Sequence, residues 1–184
     1  MTASGMTLFE YMETPETVEP RELVDGILRA ADSPLVPHQM AVTDFLIAIA
    51  THVHERELGD VLPAPMDVIL DVERPLVVQP DLLYVSNQRR AIISDRIFGA
   101  PDLVLEILSP QPRIGHLDER VAWFAQYGVR ECWLFHQDRR QLVVLTFENQ
   151  RVGRHRLFDR STPIDSIVLP DFQLTLDAVM RWRY

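Results

Sequence analysis

At 184 residues, 47% hydrophobic and 24% charged, the chain has the composition of one globular domain with a substantial core, expected to span 1–184. A formal net charge of −9 excludes a protein that coats nucleic acid through a generally basic surface. No apolar run nears the roughly 20 residues of a membrane span and no basic-then-apolar leader is present, so a cytoplasmic protein is expected. One cysteine, Cys132, excludes an intrachain disulfide framework and a thiolate zinc cluster, and all 18 basic residues are arginine, which stays protonated and serves poorly as a base.

Residues 1–20 read as a lead-in, with a short helix over Thr7 to Glu13 and breaks at Pro15 and Pro20. RELVDGILRA follows as a hairpin turning at Asp25-Gly26, a dipeptide suited to the left-handed backbone of a two-residue turn. Glu22 opens it as an isolated acid. From His38 the run HQMAVTDFLIAIATHVHEREL sets Val42, Phe45, Leu46, Ile49 and Val53 at helical spacing and ends near Gly59, which predicts a core-packing helix. His52 and His54 are two apart and face different ways, unlike the i, i+4 pair of a helical metal site. His38 stands near the helix start, where a structural role is the expectation.

Strands are predicted at VLPAPMDVILD, at VVQPDLLYVSN and at Ala100 to Ser109, with NQRRAIISDRIFG as a connection containing a short helical or extended piece. Pro80 removes one ladder hydrogen bond beside Asp81 and implies a bulge, an edge or a bend. LDERVAWFAQYG reads as an amphipathic helix with a core stripe of Leu117, Val121 and Phe124, stopped by Gly128. Arg120 falls beside that stripe, and His116 lies four residues before it. VRECWLFHQD and RQLVVLTFEN form a second hairpin, alternation continues through RVGRHRLFD, and SIVLPDFQLTLDAVMRW closes as a strand and a short helix. Arg151, Arg154, Arg156 and Arg160 make the densest basic run and the leading candidate for a basic patch.

Within Leu103 to Leu108 every residue but Glu106 is Leu, Val or Ile, the pattern of a strand covered on both faces. A carboxylate there needs a cation, a metal or several hydrogen bonds, or it stays protonated. An arginine or backbone partner and a metal are both open to it. Two Pro-Asp-Leu steps offer a second acid, at Asp81 and Asp102. Asp102 and Glu106 share one strand and are separated by roughly 13 Å, too far to hold one ion at ligand distances of about 2 to 2.6 Å. Asp81 comes from a separate strand, and neighbouring strands lie about 5 Å apart. Asp81 and Glu106 are therefore the pair, and Asp102 opens or caps its strand.

The order of hairpin, long helix, strands bearing Asp81 and Glu106, helix and second hairpin, with ELVDG, VVQPDLLYVS, GAPDLVLEILSP and GVRECW, resembles the bacterial putative restriction endonuclease family. That family belongs to the PD-(D/E)XK, restriction-endonuclease-like superfamily, and the likeness runs from about Glu22 to the end. It implies an α/β fold of mixed α+β type: a mixed sheet flanked by helices, a core of about 22–148, an N-terminal hairpin and a C-terminal β-rich extension.

The resemblance further implies an endonuclease acting on DNA, with Asp81 and Glu106 holding Mg²⁺ or Mn²⁺. The superfamily's lysine two residues after the glutamate is replaced here by Leu108. A lysine on the next helix substitutes in this family, and it matches Arg120, which would contact phosphate. An aspartate four residues earlier matches His116, a candidate base. Glu22 matches a family acid expected to touch the site through a water. Relatives that cut both strands pair, so a homodimer is expected. The alternative is a catalytically silent nuclease-fold protein that binds nucleic acid or a protein partner.

Overall fold

The computed structural model describes residues 5–15, 17, 19–30, 33–108 and 117–180. Helix α1 (Leu8–Met12) is closed by a capping box between Thr7 and Glu10, which satisfies amides that have no partner within the helix. The hairpin forms as β1 (Arg21–Val24) and β2 (Ile27–Ala30), with φ of 48° at Asp25 and 80° at Gly26. Helix α2 (Val36–Glu55) follows and buries Val42, Phe45, Ile49 and Val53.

The two long strands expected next are in fact four. VLPAPMDVILD divides into β3 (Gly59–Pro63) and β4 (Val68–Asp71) around a cis Ala64–Pro65 bond. VVQPDLLYVSN divides into β5 (Leu76–Val78) and β6 (Leu82–Ser86) at Gln79-Pro80-Asp81. In each case a proline without an amide proton ends one ladder, and the chain re-enters in a different sheet. A turn of 3-10 helix (Asn87–Ile92), β7 (Ile97–Phe98), β8 (Leu103–Leu108), α3 (Leu117–Tyr127), β9 (Glu131–His136), β10 (Gln141–Glu148), β11 (Arg151–Phe158) and α4 (Leu176–Val179) complete the order.

One sheet runs β2-β1-β5-β4-β7 and the other β11-β10-β9-β8-β6-β3. The first is antiparallel apart from β4 with β7, and the second is antiparallel apart from β8 with β9. That parallel pair requires a crossover, which α3 supplies. The expected mixed-sheet architecture flanked by helices is thus present, as two mixed sheets. Leu103, Leu105 and Ile107 pack with α2 in one apolar cluster, while Val104 packs with Phe124 of α3 in another. Glu106, two residues beyond Val104, therefore looks toward α3.

The closing strand expected in SIVLPDFQLTL does not form. Its amides bond to side chains instead: Ile167 N–H donates to Glu131 Oε2, and Val168 and Leu169 N–H donate to Ser166 Oγ. Val168, Leu169 and Phe172 still seal the α2 cluster.

Phe45 is fully buried and meets Trp133 and Phe135 edge to face. Phe45→Ala is expected to cost about 3–5 kcal/mol, read as a lower urea midpoint with an unchanged slope.

Candidate active site

The antiparallel ladder between β6 and β8 ends at Leu82 opposite Leu105. Continuing the register one step sets Asp81 opposite Glu106. Asp81 is bent out of regular strand geometry by Pro80, and its side chain caps the ladder: Oδ2 accepts the Ile107 amide at 2.7 Å. The Asp81 carbonyl accepts the Ala64 amide at 3.0 Å, so backbone bonds to both neighbouring strands hold this acid. His38, in the first turn of α2, places Nε2 3.3 Å from the same Oδ2.

Arg120 joins the sheets. On α3 it lies one turn before the buried Phe124, with its guanidinium carbon 5.7 Å from that ring, and is itself only 6% exposed. Its Nη1 donates to both oxygens of Glu22, at 2.6 and 2.7 Å. Its Nε and Nη2 donate to Glu106 Oε1 at 3.1 and 2.5 Å, leaving Oε2 outside the pair. Glu22, 1% exposed, also accepts the Gln79 amide at 2.8 Å. Arg29, opposite Glu22 in the hairpin register, pairs with Glu119 at 3.0 Å. The hairpin and α3 are thus tied by two ion pairs of opposite polarity.

Glu22 meets Arg120 in a direct ion pair, and Arg120 has its donors turned to carboxylates, because burial between two acids outcompetes solvent for the guanidinium. His116 lies outside the described residues, as does Ser109. Asp102 is structural, as expected: it is 1% exposed and accepts the Ser86 amide at 2.8 Å and Arg130 Nη1 at 3.2 Å. In the basic run, Arg156 is tied to Asp165 and Arg160 to Asp177, whereas Arg151 and Arg154 stand exposed on the edge strand β11. His38 is the residue the sequence reading left aside. Its signal was present: His38, Val42, Phe45, Ile49 and Val53 form one helical stripe, and a histidine leading an otherwise apolar stripe faces the sheet.

Two carboxylates, Glu22 and Glu106, bond one guanidinium, and the charge of Asp81 bears on Glu106. Burial pushes the Glu106 carboxyl up to about 7; Arg120 opposes the rise, and the charges of Asp81 and Glu22 add to it. Burial alone would lower the Arg120 pKa, but the two carboxylates outweigh that and hold it well above its ordinary value. Burial also raises the Cys132 thiol well above its usual range, consistent with an inert core residue.

Among the described residues no three His, Cys, Asp or Glu side chains stand together as a ready-made metal cluster. Two carboxylates at neighbouring register positions, with negative charge in excess, nevertheless suit Mg²⁺, which takes one or two carboxylates and keeps several waters. No described helix is long and apolar enough to cross a membrane.

Residues 9–177 match the Uma2 family, described as a putative restriction endonuclease. The fold is similar to the crystal structure of a putative nuclease belonging to DUF820 from Anabaena variabilis, with a TM-score of 0.81 at 18% identity over 96% of this chain and 98% of that one. No curated protein matches the sequence.

The raised Glu106 carboxyl links stability to pH. Between its ordinary value of 4.5 and about 7 the folded protein holds a proton that the unfolded chain has released. The associated stability is therefore complete below the first value and lost as pH rises through the second. Glu106→Gln does not titrate. In chelator, urea unfolding across this window should show wild type losing ground to the variant with rising pH. The slope should approach about 1.4 kcal/mol per pH unit, with no further divergence above it; parallel curves would contradict the assignment.

Proposed function

The chain belongs to the Uma2 family of putative restriction endonucleases, and from that membership we propose that it is a divalent-metal-dependent endonuclease hydrolysing DNA phosphodiester bonds. Asp81 and Glu106 would hold Mg²⁺ or Mn²⁺. The observation that carries this reading is the place of Asp81 one register step past the β6–β8 ladder, opposite Glu106, where it caps the Ile107 amide and its charge bears on Glu106. Bound there, the ion would neutralise charge gathering on the phosphate and activate a water.

The chain's own residues prepare that site. Arg120 draws Glu106 toward its ionised, ligating form, and Glu22 anchors Arg120 from the other sheet. Arg120 reaches phosphate by exchange: a phosphate oxygen replaces Glu106 Oε1 at Nη2 while Nη1 stays on Glu22. Such a charge-assisted contact stabilises the transition state without moving a proton. Proton acceptance is then assigned to His116. The reading takes 1–184 as one domain, acting in the cytoplasm as a homodimer that presents two sites to two strands.

A second reading, a nuclease fold retained for binding nucleic acid or a protein partner without catalysis, draws on the same arginine. A buried Glu22–Arg120–Glu106 triad satisfies its own charges, and no lysine is available to exchange a proton.

Nicking of supercoiled plasmid separates the two. With Mg²⁺ or Mn²⁺ the protein should nick DNA, and Asp81→Asn and Glu106→Gln should each lose about a hundredfold or more, as removal of a transition-state-stabilising group does. Nicking that survives both acid substitutions would overturn the endonuclease reading, and metal binding without nicking would establish the silent one.

A further inference from the structure

His38 sits in the first turn of α2, just after Pro37, which favours a helix start. The stripe it heads, Val42, Phe45, Ile49 and Val53, is buried against the six-stranded sheet. That geometry carries the imidazole to the end of the β6–β8 ladder. Its Nε2 approaches Asp81 Oδ2 at 3.3 Å. Its Nδ1 is buried and has no hydrogen-bond partner among the described residues. A hydrogen on Nδ1 would be a buried donor with nothing to receive it, an unfavourable arrangement. The ring hydrogen therefore belongs on Nε2, the nitrogen that faces Asp81.

Both contacts fall on Asp81 Oδ2, which accepts the Ile107 amide at 2.7 Å and lies at ion-pair distance from the His38 ring. From this we infer that His38 is a positioning residue for Asp81: it fixes the carboxylate so that Oδ1, and not Oδ2, is the oxygen presented to a divalent cation. The inference rests on the reading of Asp81 as a metal ligand and extends it by one residue and one atom. Carboxylates that ligate metals are themselves held by hydrogen bonds, and loss of such a partner weakens metal affinity about 10- to 100-fold.

The experiment uses the full chain and Mn²⁺ alone. Mn²⁺ affinity is measured by calorimetry for wild type, His38→Gln, His38→Asn and His38→Ala, with thermal unfolding of each without metal. A glutamine amide nitrogen reaches the place of Nε2, whereas an asparagine amide reaches only that of Nδ1. Wild type should bind Mn²⁺, His38→Gln should stay within about threefold of it, and His38→Asn and His38→Ala should lose tenfold or more. A structural role would make affinity follow thermal stability in all three variants, and that pattern overturns the inference, as does equal affinity in His38→Ala and wild type.

Nitrogen NMR of the metal-free protein gives an arm independent of metal. His38 should show a protonated Nε2 and a bare Nδ1, with the Nε2 signal moving in Asp81→Asn. The opposite tautomer overturns the inference even if Mn²⁺ binds. Wild type that binds no Mn²⁺, with the expected tautomer present, removes the metal reading and leaves only the His38–Asp81 contact standing.

Discussion

The architecture depends on one buried cation. Arg120 comes from the crossover helix, Glu22 from the first sheet and Glu106 from the second, and the guanidinium is the point where all three meet. Taking such charges out of water is unfavourable, and attraction inside the protein offsets it only with good geometry and complete hydrogen bonding. Here the planar donor fork meets one carboxylate along each side, the arrangement that arginine supports and a lysine ammonium does not. Removing any member leaves a buried charge unpaired, so the triad fixes the placement of both sheets relative to α3 more than it adds net stability.

A second constraint is written in proline. Each of the two long apolar segments breaks at a residue that cannot donate to a ladder, and each resumes in the other sheet. At Pro80 the consequence is chemical as well as topological. The ladder stops one residue short of Asp81, the Ile107 amide would be left open, and the aspartate side chain fills the gap. A carboxylate that caps a strand end is held by backbone rather than by flexible side chains, which gives it the precision that a ligand or catalytic acid requires.

Much of this was legible in the sequence wherever the signal was local. The Asp25-Gly26 turn, the stripe of α2 and the Gly128 stop of α3 follow from spacing and backbone preference, and all three form. Glu106 stood out because a lone acid in a run of Leu, Val and Ile demands a partner, and strand spacing then selected Asp81 over Asp102. What lay hidden was pairing across distance. Glu22 and Arg120 are 98 positions apart, and nothing in either segment names the other. Proline signalled a break but not whether the chain would bulge or change sheets. The absence of a closing strand near Leu169 turns on the buried Glu131, whose reach to the Ile167 amide no periodicity encodes.

Charge balance connects the site to the composition. Many arginines are tied internally: Arg96 to Asp67, Arg130 to Asp102, Arg156 to Asp165, and Arg120 to two acids. A chain of net charge −9 with its arginines so engaged repels a polyanion at long range. At the site the imbalance is sharper, since one guanidinium is shared by two carboxylates, Asp81 adds a third negative charge, and the carboxyl of Glu106 is already pushed up to about 7. On the proposed reading a divalent cation is therefore needed twice, to keep Asp81 and Glu106 ionised side by side and to let a phosphate approach them. Arg120 meets only part of that need. It compensates Glu22 and one oxygen of Glu106, and leaves the charge of Asp81 to His38, the Ile107 amide and, on the proposed reading, the cation.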